Sequence, residues 1–371
     1  MDGQKRWSAE RAASWYAARP RPLGCNFIPS TAGNQLEFWA ADSFDRETLA
    51  RELDWAAGLG MNALRVFLHD QAWSADSAGF LSRLDEFLAM SAERGFSVMP
   101  VLFDDCWYEP GSLGERPEPR PGVHNSIWLR SPGLRAARNV AEHGRLEAYV
   151  RAVVGAFARD ARVLAWDVYN EVGNYFLPHL SAPAPARQLR LLRTGLAYYL
   201  LPIPTLPLLR KAFAWCRSAA PEQPLTSPLY LDHRSLNREL LDLSDVVSFH
   251  NYRPGPELDW QAAELAAEGR PLLCTEYLAR TAGSNFAGSL PVFAERNIGC
   301  FNWGLVSGRT QTIYSWADRH SRSGAAAEPE LWYHDILRPD GTPFAPREAE
   351  LLRAAGAEVR EAAMKKRMNR G

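Results

Sequence analysis

The sequence predicts a single α/β domain of the (β/α)8 TIM-barrel class over residues 1–371, with the barrel core at about residues 24–316. Three observations carry this expectation. The 371 residues exceed a minimal barrel of about 250 residues but suit one with long loops. Short β-rich runs alternate with amphipathic helical stretches about eight times, the pattern of βα units and a parallel sheet. Several helical stretches also stop at a glycine just before the next run, Gly60 before Met61-Asn62 and Gly95 before Phe96. A left-handed glycine ends a helix in that way and admits a buried strand.

In chain order the predicted strands are residues 24–28, 63–68, 97–103, 163–168, 225–229, 246–250, 271–275 and 299–303. Between them, residues 46–59, 81–94, 146–159 and 286–296 repeat apolar side chains at three- and four-residue spacing, as a helix packed on a sheet requires. Residues 104–142, rich in Pro and Gly, form a long excursion after the third strand. Barrel enzymes keep substrate-binding loops there, so the excursion should border a cleft and present Trp107, Tyr108, His124 or Trp128 to it. Residues 196–209, apolar with three prolines, suit either a helix-breaking insertion packed on the barrel or a membrane-surface or partner contact. Residues 353–370 read as a charged, solvated helix or tail, and a C-terminal helix completes the expected fold.

Composition narrows the function. With 46% hydrophobic and 23% charged residues and a net charge of -1, the chain offers no broad field for nucleic acid or for a membrane, and neither is expected as a partner. Residues 1–20 lack the apolar stretch of a secretory leader and no run of 18 apolar residues occurs, which predicts a cytoplasmic protein. The five cysteines are odd in number and widely spaced, so reduced core or near-site thiols are expected. The His residues are scattered without metal-ligand spacing, and no glycine-rich phosphate loop occurs; neither metal nor cofactor is implied.

Two apolar strands end in a carboxylate. One runs Trp166-Asp167-Val168-Tyr169-Asn170-Glu171; the other, three strands later, runs Leu272-Leu273-Cys274-Thr275-Glu276-Tyr277. A carboxylate at the C-terminal end of a barrel strand points into the site. Two such groups flanking one bond are what glycosidic hydrolysis needs, one protonated to assist the leaving group and one ionised to attack or to activate water.

Taken with Arg65 in the second strand, His250-Asn251-Tyr252 after the sixth and Trp303 ending the eighth, these residues resemble clan A glycoside hydrolases, in particular family-5-like enzymes of the cellulase and mannanase type. The resemblance implies a retaining β-glycoside hydrolase acting on β-linked oligosaccharides or small glycosides, with carbohydrate as its partner. Glu171 would be the acid/base and Glu276 the nucleophile. Asn170 would hold the sugar 2-hydroxyl, and Arg65 would keep the nucleophile ionised. His250 and Tyr252 would contact substrate and nucleophile, and Trp303 would floor the central subsite. The chain departs from the family in three places. Val172 follows Asn-Glu where a proline is usual. Asp104-Asp105-Cys106-Trp107 stands where a His commonly ends the third strand, which suggests Asp105 as an acidic hydroxyl contact. His69-Asp70 after the second strand is closer to the pattern of β-galactosidase-type barrels in the same clan, which adds His69 to the candidates.

Among the 13 tryptophans, Trp39, Trp73, Trp107, Trp128 and Trp316 fall in or beside the upper loops and are subsite candidates, because sugar C–H faces pack on indole. Trp15, Trp55 and Trp215 lie in helical stretches and belong to the core. Two other readings share the same residues: a transglycosylase that excludes water from the same two glutamates, and a catalytically silent carbohydrate-binding barrel. Retention of both glutamates speaks against the second.

Overall fold

The computed structural model describes residues 5–111, 114–175, 186–316 and 327–368. Residues 1–4, 112–113 and 369–371, on which parts of the terminal and loop readings fall, lie outside them. All eight expected strands are present: β1 (Leu23–Asn26), β2 (Ala63–Phe67), β3 (Ser97–Val101), β4 (Trp166–Asp167), β5 (Leu225–Thr226), β6 (Val247–His250), β7 (Leu272–Tyr277) and β8 (Gly299–Trp303). They are ordered β5-β4-β3-β2-β1-β8-β7-β6, and the pairs are parallel. Beyond β5, Leu229 closes the ring onto β6: its N–H donates to Ser248 O at 3.0 Å, and its carbonyl accepts from His250 N at 2.8 Å. That single bridge leaves the sheet a nearly closed barrel, and helices interleave with its strands.

The glycine stops behave as expected. Gly60 and Gly95 have φ of 84° and 82°, so each turns the chain from a helix C-terminus into the next strand. The helices Arg46–Gly58, Ser77–Glu93, His143–Ala156 and Phe286–Glu295 bury the leucines, valines and aromatics of their inner stripes against the barrel. Helix Pro346–Met368 is not solvated all round. It buries Ala349, Leu352 and Val359, and Gly356 approaches so closely that an added Cβ would stand 2.4 Å from Gly60 O. At Arg353–Lys366 the charges mark the outer face of a packed helix. No helix among the described residues is long and apolar enough to cross a membrane.

One end of the barrel is plugged. Trp7, Ala12 and Tyr16, in and before helix Ala9–Ala17, pack on Ala63, Met99, Leu164, Val246, Leu273 and Phe301, which come from the early parts of the strands. Asp245 anchors the plug by accepting from Trp7 N at 2.7 Å while it pairs with Arg217 at 2.6 Å. With that end filled by apolar side chains, only the end at which the strands finish remains for a site. All five cysteines are buried and free.

Strand packing is tightest where β1 passes β2. A Cβ on Gly24 would lie 2.0 Å from Ala63 O and 3.2 Å from Phe301 Cδ1, and backbone cannot retreat as a side chain can. Gly24→Ala should therefore lower unfolding stability by about 2–4 kcal/mol in a denaturant titration. A change under about 0.5 kcal/mol, the range of innocuous surface substitutions, would show that the strands part freely here.

Candidate active site

Where the strands end, a cavity of about 980 Å³ opens, lined among others by Asn170, Glu171, His250, Tyr252, Glu276 and Trp303. Glu171 leaves β4 with φ of 45°, a left-handed conformation uncommon for a residue with a side chain. The turn beyond it is braced: Asn174 N donates to Glu171 O at 2.9 Å and Gly173 N to Asp105 Oδ2 at 2.6 Å. Gly173, at φ of 82°, admits no side chain, since a Cβ would meet Ile203 Cγ2 at 2.8 Å and the Tyr198 ring at 3.1 Å. The Glu171 carboxylate then meets His250 Nδ1 at 2.6 Å, Asn174 Nδ2 at 2.5 Å and the Cys106 thiol at 3.1 Å. Burial pushes its pKa above the ordinary 4.5, partly offset by the Cys106 and Asn174 donors.

Glu276 owes its position to an irregularity. Strands β6 and β7 pair Phe249 with Cys274, then skip one residue so that His250 stands beside Glu276; such bulges re-aim side chains next to functional sites. Its Oε1 accepts from Arg65 Nη1 at 2.8 Å and its Oε2 from the Tyr252 hydroxyl at 2.7 Å. Burial raises its pKa too, with the Glu171 charge acting in the same direction and His250, Arg65 and Tyr252 opposing.

Arg65, fully buried, ties these groups together. Its guanidinium reaches Asp167 Oδ2 at 2.7 Å, Asn26 Oδ1 at 2.7 Å, Asn170 Oδ1 at 2.6 Å and Glu276, using the planar fork that a lysine lacks. Asn170 is thereby oriented, its amide donating to Asp104 Oδ1 at 3.0 Å.

One nitrogen of His250 and one oxygen from each of Glu171 and Glu276 all lie within 4.8 Å of one another. Burial holds His250 down at about 3, so its ring is neutral, and its Nε2 has no hydrogen-bond partner among the described residues. These three residues form the one cluster of metal-ligand type among the described residues. The 2.6 Å His250–Glu171 contact is shorter than the roughly 3.4 Å between ligands of a shared tetrahedral ion, so the pair is arranged as hydrogen-bond partners.

Trp107 lines the cavity with His124 and Asn125 of the same excursion, while Trp303 and Trp316 line it from elsewhere. Arg65 lies behind Glu276. Asp105, His69 and Trp128 are buried outside the cavity lining. Asp105 spends its oxygens on Gly173 N, the Tyr169 hydroxyl at 2.9 Å and the Thr205 hydroxyl at 2.6 Å, which shapes the Glu171 turn. His69 caps the short helix Asp70–Ala75, accepting from Gln71 N at 3.2 Å. Trp128 packs under Trp303 and donates to Asp104 Oδ2 at 2.8 Å. Trp39 is core, donating to Phe67 O at 2.8 Å, and Trp73 packs on the core beside Tyr149. Trp215 is buried and Trp15 and Trp55 are half-buried against the apolar clusters.

Three participants went unread in the sequence. Asn174 follows Glu171 at a spacing that, in a turn, returns a side chain to the carboxylate. Cys106, which donates to Glu171 Oε2, is in the sequence only one of five widely spaced thiols. Asn125 carries no local signal at all, yet it sits at φ of 46° with both amide atoms buried and unpartnered beside the cavity.

The sequence matches no protein-family model and no curated protein. Solved structures do match in fold. An exo-β-1,4-mannosidase from Opitutaceae bacterium strain TAV5 superposes with a TM-score of 0.55 at 17% identity, over 93% of this chain and 60% of that one. A GH5_18 protein from Streptomyces cattleya in complex with GlcNAc gives 0.57 at 16%, over 92% and 81%. An endo-1,4-β-D-mannanase from Thermotoga petrophila gives 0.53 at 13%, over 91% and 99%. The likeness is one of fold: a (β/α)8 barrel along nearly the whole of this chain.

Proposed function

We propose that the protein is a retaining β-glycoside hydrolase with Glu276 as nucleophile and Glu171 as acid/base. The observation that carries this is the pair of carboxylates at the ends of β4 and β7, which bring one oxygen each within 4.8 Å of the other; retaining enzymes set their carboxyl groups about 5–5.5 Å apart, and inverting ones, which must fit a water between them, roughly 6.5–9.5 Å. Glu276 attacks the anomeric carbon while Glu171 gives its proton to the departing glycosidic oxygen. The resulting glycosyl ester removes the charge on Glu276, so Glu171 falls in pKa and can take a proton from water. That water attacks the anomeric carbon from the face the leaving group vacated, opposite the ester, and breaks the bond to Glu276, returning the original configuration.

The other groups follow from the geometry. Arg65 and Tyr252 hold Glu276 ionised and oriented. Neutral His250 and the braced turn hold Glu171, and His250 Nε2 and Asn125 are free for sugar hydroxyls. Trp303, Trp107 and Trp316 offer indole faces. The fold neighbours include enzymes named for β-1,4-mannosides, which puts manno-configured β-glycosides first among substrates to try.

A panel of aryl β-glycosides with product anomers followed by NMR tests the proposal. A β product forming first supports double displacement; an α product would overturn it. Because Glu276 must be ionised and Glu171 protonated, kcat/KM is expected to be bell-shaped in pH. Activity should be lost as pH falls through the first group's pKa and as it rises through the second's. Burial raises both groups above 4.5, so both limbs should lie above that value. An acid limb below it would show that Arg65 and Tyr252 outweigh burial.

A further inference from the structure

Helix Ala186–Leu200 turns its apolar side to solvent. Leu189, Leu192, Leu196 and Leu200 are 57%, 61%, 51% and 74% exposed, and their spacing places them on one face. The helix packs through the opposite face, where Tyr198 is buried against Gly173 of the Glu171 turn. Arg190 and Arg193, both exposed, border the leucines along one side, and no Asp or Glu occurs anywhere from Val172 to Pro221. The stripe continues into the cavity mouth. Tyr199, Leu231 and Trp260 line the cavity, yet they are well exposed; the Tyr199 ring is pinned there, stacked on His233 with its hydroxyl donating to Asp232 O at 3.1 Å.

We propose that this face docks on an anionic lipid surface and that the cavity takes an amphiphilic β-glycoside. Its sugar reaches Glu276, while its apolar aglycone lies along Tyr199, Leu231 and Trp260. A row of leucines bordered by guanidinium groups, without acids, is the pattern of a helix lying in a membrane interface. A second copy fits less well, because a two-fold contact through this face would gather the Arg190 and Arg193 of both copies along one seam whose segment supplies no acid to pair with them. The near-neutral net charge of the chain conceals this local basic segment, and so favoured the expectation of no membrane partner. The docking half of the proposal stands on the helix alone; the substrate half rests on the glycosidase reading.

Both halves are tested with the full chain. Sedimentation with phosphatidylcholine vesicles, with and without phosphatidylglycerol, reads docking. Turnover of a soluble aryl β-glycoside, and of a long-chain alkyl β-glycoside embedded in the same vesicles, reads chemistry. The protein should bind the anionic vesicles. L192S/L196S should lower partition roughly a hundredfold and depress turnover of the embedded substrate while leaving the soluble one unchanged. R190Q/R193Q should lower binding roughly thirtyfold and only on anionic vesicles. A protein that hydrolyses the aryl glycoside but stays in the supernatant with both vesicles overturns docking and leaves the glycosidase reading standing. One that sediments yet hydrolyses no glycoside keeps docking and overturns the substrate half. A self-association abolished by L192S/L196S, without vesicle binding, would assign the face to a second copy and overturn the proposal.

Discussion

Glu276→Ala should abolish turnover of activated and natural glycosides alike, with kcat down by roughly four to six orders of magnitude, because it removes the atom that forms the covalent intermediate. Glu171→Ala should behave differently. On an aryl glycoside whose phenolate departs without a proton, the first step should survive, and azide should restore the second by replacing the water that Glu171 would activate. Azide added to Glu276→Ala should give the anomer of opposite configuration. The asymmetry follows from the surroundings: Glu276 holds Arg65 and the Tyr252 hydroxyl, whereas Glu171 holds a neutral His250, an amide and a thiol. Should Glu276→Ala keep activity on the activated substrate while Glu171→Ala loses it without azide rescue, the two roles are reversed.

Arg65→Met should be the most destabilising change in the site. It strips the guanidinium from buried Asp167 and Glu276 together, and breaking a buried pair by removing one partner costs about 3–5 kcal/mol. Urea titration above pH 7 reads the loss. The same variant should move the acid limb of kcat/KM upward, since Glu276 would keep its burial without its cation. Arg65→Lys should recover only part of either effect, because one ammonium cannot reach Asn26, Asn170, Asp167 and Glu276 at once. A stability loss under about 1 kcal/mol, the scale of exposed pairs, would mean that water reaches the pair and that Arg65 does not neutralise it.

The barrel was legible because its signals are local and repeated: apolar runs, glycine stops and helical spacing each mark one βα unit. The two strands ending in glutamate were legible for the same reason, since a charge at the end of an apolar run has few places to go but the barrel mouth. What failed to show lies on loops, where a residue's side is fixed by partners far along the chain. Asp105 and Trp128 looked like cleft groups, but the Glu171 turn claims the first and Asp104 the second. His69 serves a helix start. Asn125 is placed by Thr310, whose carbonyl accepts its N–H at 2.8 Å across the barrel mouth. The helix over 186–200 is hidden by an average: residues 196–209 suit an insertion packed on the barrel as well as a membrane-surface contact, and the net charge sums over the whole chain.

The skipped residue opposite Phe249 and His250 also bears on which changes in chain length the protein can absorb. In an alternating strand, loss or gain of one residue turns every later side chain to the other face. Inserting a residue beside Thr275 would swing Glu276 out of the mouth toward the surrounding helices while leaving the apolar run itself intact, and deleting Thr275 would remove the irregularity that sets the reach of Glu276 beside His250. Length variation in descendants or designed variants of this chain should therefore gather in the excursion after β3 and be excluded from β6 and β7, whose residue count is part of the chemistry.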